Sequence, residues 1–122
     1  MKVSQNCLDL IEKWEGLFLS AYLDPVGIPT IGWGTIRYPN GQKVRIGDEI
    51  TRAEAEAFLL FEVEEVVKSL DPVLAGINLT QNQFDAIVSL CYNIGVGGFK
   101  ESTVLKRLRA GDFAAASAAF DL

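Results

Sequence analysis

Apolar positions recur at helical spacing near the N-terminus, where Cys7, Leu8, Ile11 and Trp14 form one stripe behind Ser4, a favourable helix cap. This pattern predicts a helix over 4–15. Gly16 closes it by supplying the left-handed backbone that commonly ends a helix. From 17 to 50 the pattern changes to short β-rich pieces: Phe18–Tyr22, Thr30–Ile36 and Gln42–Ile46. Turn signals separate them at Asp24-Pro25-Val26-Gly27 and Tyr38-Pro39-Asn40-Gly41. A three-stranded antiparallel sheet is expected, too small to be stable without helices against it. Thr51-Arg52-Ala53-Glu54 is a capping box that opens a connecting helix over 51–70, with Asp71-Pro72 as its stop. A second box, Thr80-Gln81-Asn82-Gln83, opens a helix from Phe84 to Ile94 that Gly95-Val96-Gly97-Gly98 stops. Ser102 starts another helix to about Arg109, and Phe113–Phe120 reads as a last apolar one. Helix, small sheet, then many helices is the order of an α+β domain. It predicts a β lobe at 17–50 and a mostly helical lobe at 71–122, joined by the long helix.

The length of 122 residues suits one domain over 1–122, with 49% hydrophobic and 22% charged residues typical of a globular chain. The longest charge-free stretch, between Asp85 and Lys100, falls short of the roughly 20 apolar residues of a membrane span. The first residues, Met1-Lys2-Val3-Ser4-Gln5-Asn6, contain no apolar signal core, so synthesis in a cytoplasm without a signal peptide is the expectation. Cys7 and Cys91 lie in predicted helices, far from any CxxC motif, and the chain has no histidine. A zinc site or a Cys/His nucleophile therefore lacks its ligands or base, and two buried thiols are expected instead. No metal and no cofactor is implied. The net charge of −5 argues against nucleic acid as a partner, because phosphate recognition needs a basic face.

Without histidine, proton transfer near neutral pH falls to carboxyl groups whose pKa is shifted by their surroundings. Glu15 stands at a helix C-terminus, where the macrodipole disfavours its charge, and Trp14, Leu17 and Phe18 are apolar neighbours that would desolvate it. A glutamic acid still protonated near neutral pH is the expected result, suited to protonating a leaving glycosidic oxygen. Asp24 opens a turn where backbone N–H groups tend to point at the side chain and stabilise its ionised form. An ionised Asp opposite a protonated Glu can orient a water or steady an oxocarbenium-like transition state. Thr30 follows, with a hydroxyl able to hold that water. Taken singly, these residues are a helix-end glutamate, a turn opener and a strand former, and their frame is what makes them specific.

The frame is Glu15 to Gly34, and it matches without a gap the pattern E-G-x-x-x-x-A-Y-x-D-x-x-G-x-x-T-x-G-x-G of the phage-type, T4-like lysozymes. Tyr92-Asn93-Ile94-Gly95 resembles that family's F-N-x-G segment, and Arg109-Ala110-Gly111-Asp112-Phe113 its N-A-G-D-Y/F run. The resemblance implies a lysozyme-like fold and a muramidase that cleaves the β-1,4 bond between N-acetylmuramic acid and N-acetylglucosamine with inversion and without metal. It makes Glu15 the general acid, Asp24 the residue that positions water, and Thr30 a hydrogen-bond partner of that water. Tyr92 and Asn93 would contact the glycan strands of peptidoglycan. Inversion implies carboxyl groups about 6.5–9.5 Å apart. Action on the cell wall would follow release from the host cytoplasm. Family chains usually continue past the position of Leu122 with an arginine-bearing helix, so a truncated helical lobe is expected. A weakly active or inactive peptidoglycan-binding module is the alternative. The apolar face around Phe113 and Phe120 also suggests self-association through the C-terminal helix.

Overall fold

The computed structural model describes residues 1–110. Its elements run α1 (Gln5–Glu15), β1 (Phe18–Leu23), β2 (Pro29–Gly32), α2 (Arg52–Leu74), α3 (Gln81–Lys100) and α4 (Thr103–Arg109). This is the expected α+β order. The expected last helix at Phe113–Phe120, and with it the face for self-association, lies outside the described residues.

Two compact units divide the chain. One comprises residues 8–64, and the other residues 1–7 together with 65–122. Helix α2 runs from the first into the second.

In the unit of residues 8–64, α1 ends as expected. The Gly16 N–H donates to the Glu12 carbonyl at 3.2 Å, and Gly16 turns the chain with a φ of +71°. The sheet is smaller than expected, with two antiparallel strands, β1 and β2, rather than three. Phe18 pairs with Gly32, and Tyr22 with Thr30, with an irregularity between them that frees the middle of β1. That middle turns to residues 48–50: Ala21 N–H donates to Asp48 O at 3.0 Å and Ile50 N–H to Leu19 O at 2.9 Å. The expected third strand at Gln42–Ile46 is reduced to a single bridge between Arg37 and Lys43. Backbone bonds still tie this stretch to residues 36–38, with Tyr38 N–H donating to Gln42 O at 2.9 Å and Val44 N–H to Ile36 O at 3.1 Å, and side chains brace it further. The Tyr38 hydroxyl donates to Asp48 Oδ2 at 2.7 Å, and the Arg45 N–H donates to the same oxygen at 3.0 Å. Ile11, Ile31, Trp33, Val44, Leu59 and Val63 form the apolar core here. Trp14, expected on the buried stripe, is 74% exposed. The helical period placed it beside Ile11, but nothing in this unit covers that last turn.

The capping box at Thr51 forms as predicted, with Thr51 N–H donating to Glu54 Oε1 at 3.0 Å and Glu54 N–H to Thr51 Oγ1 at 3.1 Å. Helix α2 then passes through Pro72, which was expected to stop it, and ends at Leu74. A proline costs a helix one hydrogen bond and crowds the preceding turn. Leu70 and Leu74 lie one turn apart and are both buried, and their packing outweighs that loss.

In the other unit, Thr80 and Gln83 form the second capping box, and Ser102 caps α4 through Leu105 N–H at 3.3 Å. The glycine cluster was expected to stop the helix at Ile94. The chain does depart from helical geometry at Gly95 (φ 82°, ψ 155°), but it resumes as a helix through Gly97 and Gly98 to Lys100, with Phe99 buried in the core. Leu70, Phe84, Ile87, Val88, Phe99 and Leu105 fill the core. Ser4 does not cap α1 with its side chain. Its N–H donates to Asp85 Oδ1 at 3.0 Å, and its hydroxyl donates to Asp85 Oδ2. Gln81 completes this knot, donating through Nε2 to Asp85 Oδ1 and to the Lys2 carbonyl, both at 2.9 Å.

Candidate active site

Glu15, Asp24 and Thr30 all belong to the unit of residues 8–64. Glu15 is the last residue of α1 and half-buried. Its carboxyl lies against the backbone of Gly34, in the turn after β2. A Cβ on Gly34 would stand 3.0 Å from Glu15 Oε2 and 3.3 Å from its carboxyl carbon. Gly34 has a φ of +85°, so both its conformation and its lack of a side chain serve this approach. Burial raises the pKa of the Glu15 carboxyl above its ordinary value. The direction matches expectation, but the cause is partly different. Trp14 points to solvent and Phe18 is 43% exposed, so the hairpin backbone does much of the desolvating. Glu15 accepts no side-chain hydrogen bond among the described residues.

Asp24 is held differently. Its Oδ1 accepts the Val26 N–H at 2.9 Å and the Ile28 N–H at 2.8 Å. The turn itself is closed by Gly27 N–H to Asp24 O at 2.9 Å and Asp24 N–H to Ile28 O at 3.0 Å. Such an Asx-type arrangement fixes the carboxylate through the main chain. The same Ile28 carbonyl accepts the Thr30 hydroxyl at 2.9 Å. One residue's backbone thus braces both side chains. With its own proton committed to Ile28, the Thr30 oxygen faces any further partner as an acceptor.

This geometry sits in a chain that matches the family model described as phage lysozyme over residues 12–122. The endolysin of Acyrthosiphon pisum secondary endosymbiont phage 1 is 43% identical over 120 residues, covering 98% of this chain and 78% of that protein. This chain belongs to the phage lysozyme family. Among solved structures, the endolysin of Escherichia coli O157:H7 phage FAHEc1 superposes with a TM-score of 0.90 at 44% identity, covering 98% of this chain and 74% of that one. The muramidase domain of SpmX from Asticaccaulis excentricus gives 0.85 at 37% identity, with 98% and 78% covered. Membership makes the chain a glycoside hydrolase with a lysozyme-like fold, acting on the peptidoglycan of the bacterial wall. It does not favour the alternative of a binding module without turnover.

Tyr92 and Asn93 stand on α3 just before the break at Gly95, in the other unit. Tyr92 is half-buried and Asn93 exposed. Cys7 and Cys91 are free and buried, as expected, and burial pushes both thiols up to about 12. No group of side chains that could hold a metal ion occurs among the described residues, and no helix there is long and apolar enough to cross a membrane.

Sequence reasoning missed Asp85 and Gly34. Asp85 is 5% exposed and ties residues 2–4 to α3, and nothing local announced a bond across 81 positions. Gly34 was seen only as part of the family pattern. Its adjacency to Glu15 requires the hairpin to fold back on α1.

Proposed function

We propose that the chain is an inverting muramidase in which Glu15 is the general acid, Asp24 the base that positions water, and Thr30 that water's second partner. The enzyme cleaves the β-1,4 bond after N-acetylmuramic acid and serves phage or prophage lysis of the host. The observation that carries this reading is the shared brace at Ile28, together with a half-buried glutamic acid held against Gly34 with its pKa raised by burial. A water has two O–H bonds. If one is donated to Asp24 and the other to the Thr30 oxygen, a lone pair is left to face the anomeric carbon. Glu15, whose pKa burial raises, protonates the departing sugar oxygen, and Asp24 takes the proton from the water as its oxygen bonds to carbon. Charge develops on the sugar ring next to the Asp24 side chain, whose carboxylate form stabilises it.

Tyr92 and Asn93 are proposed to contact the glycan from the helical side. The single lysozyme-like domain over 1–122, action on the wall after release from the host cytoplasm, and lack of affinity for nucleic acid complete the proposal. Self-association would rest on Phe113 and Phe120.

Turbidity loss on outer-membrane-permeabilised bacteria tests the assignment. Glu15→Gln should abolish clearing while the circular dichroism spectrum is unchanged, and clearing at the wild-type rate would refute the assigned acid.

A further inference from the structure

Gly34, against which the Glu15 carboxyl lies, has no side chain with which to grip its surroundings, so its place is set through its neighbours. The backbone bends here into a tight turn. Ile31 N–H donates to Thr35 O at 2.9 Å and Thr35 N–H to Ile31 O at 2.8 Å, and the two bonds enclose Gly32-Trp33-Gly34. Ile31, Trp33 and Thr35 are all buried.

Both neighbours of Gly34 are fastened to α2. Trp33 lies under the Arg52 guanidinium, 5.5 Å from its ring centroid, and the Thr35 hydroxyl donates to Glu62 Oε2 at 3.4 Å. Between these points Gly32 approaches the helix so closely that a Cβ on it would stand 3.5 Å from the Cβ of Ala55. Arg52, Ala55, Leu59 and Glu62 recur at helical spacing, so one face of α2 seats the whole turn. The two fastenings differ in kind. Burial of Trp33 favours no single orientation, whereas a hydrogen bond fixes both distance and direction. Thr35 is 1% exposed, and Glu62 is the one hydrogen-bond partner of its hydroxyl among the described residues.

We infer that Thr35 is a positioning residue for Glu15: its hydroxyl, held by Glu62, sets how closely Gly34 stands to the Glu15 carboxyl. Glu15, Gly34, Thr35 and Glu62 all belong to the unit of residues 8–64, so the chain of contacts is internal to it. The inference rests on Glu15 being the general acid and adds the device that keeps that acid in place. A general acid works only within hydrogen-bond reach of the leaving oxygen, about 2.6–3.2 Å, so a turn that shifts by a fraction of that span moves the acid out of register.

The test measures kcat and KM on soluble glycan strands of peptidoglycan, with the folded fraction of each variant fixed by urea titration. Thr35→Val keeps the shape and deletes the hydroxyl. It should lower kcat about tenfold with KM unchanged, the split expected when an interaction serves the transition state alone. Thr35→Ser retains the hydroxyl and Glu62→Gln an acceptor oxygen, and each should keep most of kcat. Glu62→Ala should match Thr35→Val, and combining the two should slow the enzyme no further, because both remove one bond. If Thr35→Val does not fold, Glu62→Ala carries the same prediction from a half-buried position. Wild-type kcat in folded Thr35→Val or Glu62→Ala, an equal loss in Thr35→Ser, or losses that multiply in the double variant overturns the inference. Clearing by Glu15→Gln at the wild-type rate would instead bring down the assigned acid, whatever the Thr35 variants do.

Discussion

Glu15 and Asp85 are both acidic side chains withdrawn from water, one in each compact unit, and they differ in what meets them. Asp85 accepts hydrogen bonds from the Ser4 N–H, the Ser4 hydroxyl and Gln81 Nε2, so its buried charge is compensated. Glu15 accepts none from a side chain among the described residues and lies against Gly34 with its pKa raised by burial. Burial alone therefore does not distinguish a structural carboxyl from a reactive one. Pairing does: a compensated acid stabilises the fold, and an uncompensated one keeps a proton available for transfer.

Exchanging the roles experimentally should give opposite phenotypes. Glu15→Gln should lower the rate of wall lysis by about 10²–10⁴-fold, the usual contribution of a general acid, with little change in urea denaturation. Asp85→Ala should do the reverse. It strands the half-buried donors of Ser4 and should reduce unfolding stability by about 1–2 kcal/mol, measured by urea titration, while activity per folded molecule is retained. A large rate loss in folded Asp85→Ala protein would break the distinction.

Gly34→Ala sharpens the comparison from the neighbour's side. An L side chain at φ +85° costs about 1–2 kcal/mol, and the new methyl would push on the Glu15 carboxyl. The expected result is a modest fall in stability with a roughly tenfold lower kcat, because small misplacements of a catalytic group are expensive. A wild-type kcat would show that the acid tolerates displacement.

The pH dependence is smaller but diagnostic. Glu15 acts while protonated, so activity should decline as pH rises through its raised pKa. For stability the sign is the same. A carboxyl whose folded pKa exceeds its unfolded value stabilises the fold fully below the unfolded pKa, and loses that contribution as pH rises through the folded one. Glu15→Gln should flatten that segment of the stability profile, as read by denaturation at several pH values. Smallest of all, Cys7 and Cys91 should resist thiol reagents in the native state and react fully only in denaturant, because each thiol is buried and held mostly protonated.

What the sequence disclosed was governed by range. Both capping boxes, the Ser102 cap and the Gly16 stop depend on residues a few positions apart, and each appears where it was expected; Gly95 breaks the helix where a stop was expected, but the chain winds on to Lys100. The Asp24 turn was legible for the same reason. Contacts between distant segments were not. The period that grouped Trp14 with Ile11 could not say where the covering surface ends. Pro72 was read by its local penalty, without the packing of Leu70 and Leu74 that outweighs it. Gln42–Ile46 had strand composition, but the free edge of β1 is taken by residues 48–50, leaving that segment one bridge. The partnership of Ser4 with Asp85 joins opposite parts of the sequence.

The double use of Ile28 has a further consequence. Its amide serves the Asp24 side chain and its carbonyl that of Thr30, so the spacing between them is set by a fixed length of main chain rather than by rotamer choice alone. The aliphatic group at that position takes no part in either bond. It is free to drift toward other shapes while the reaction machinery keeps its dimensions.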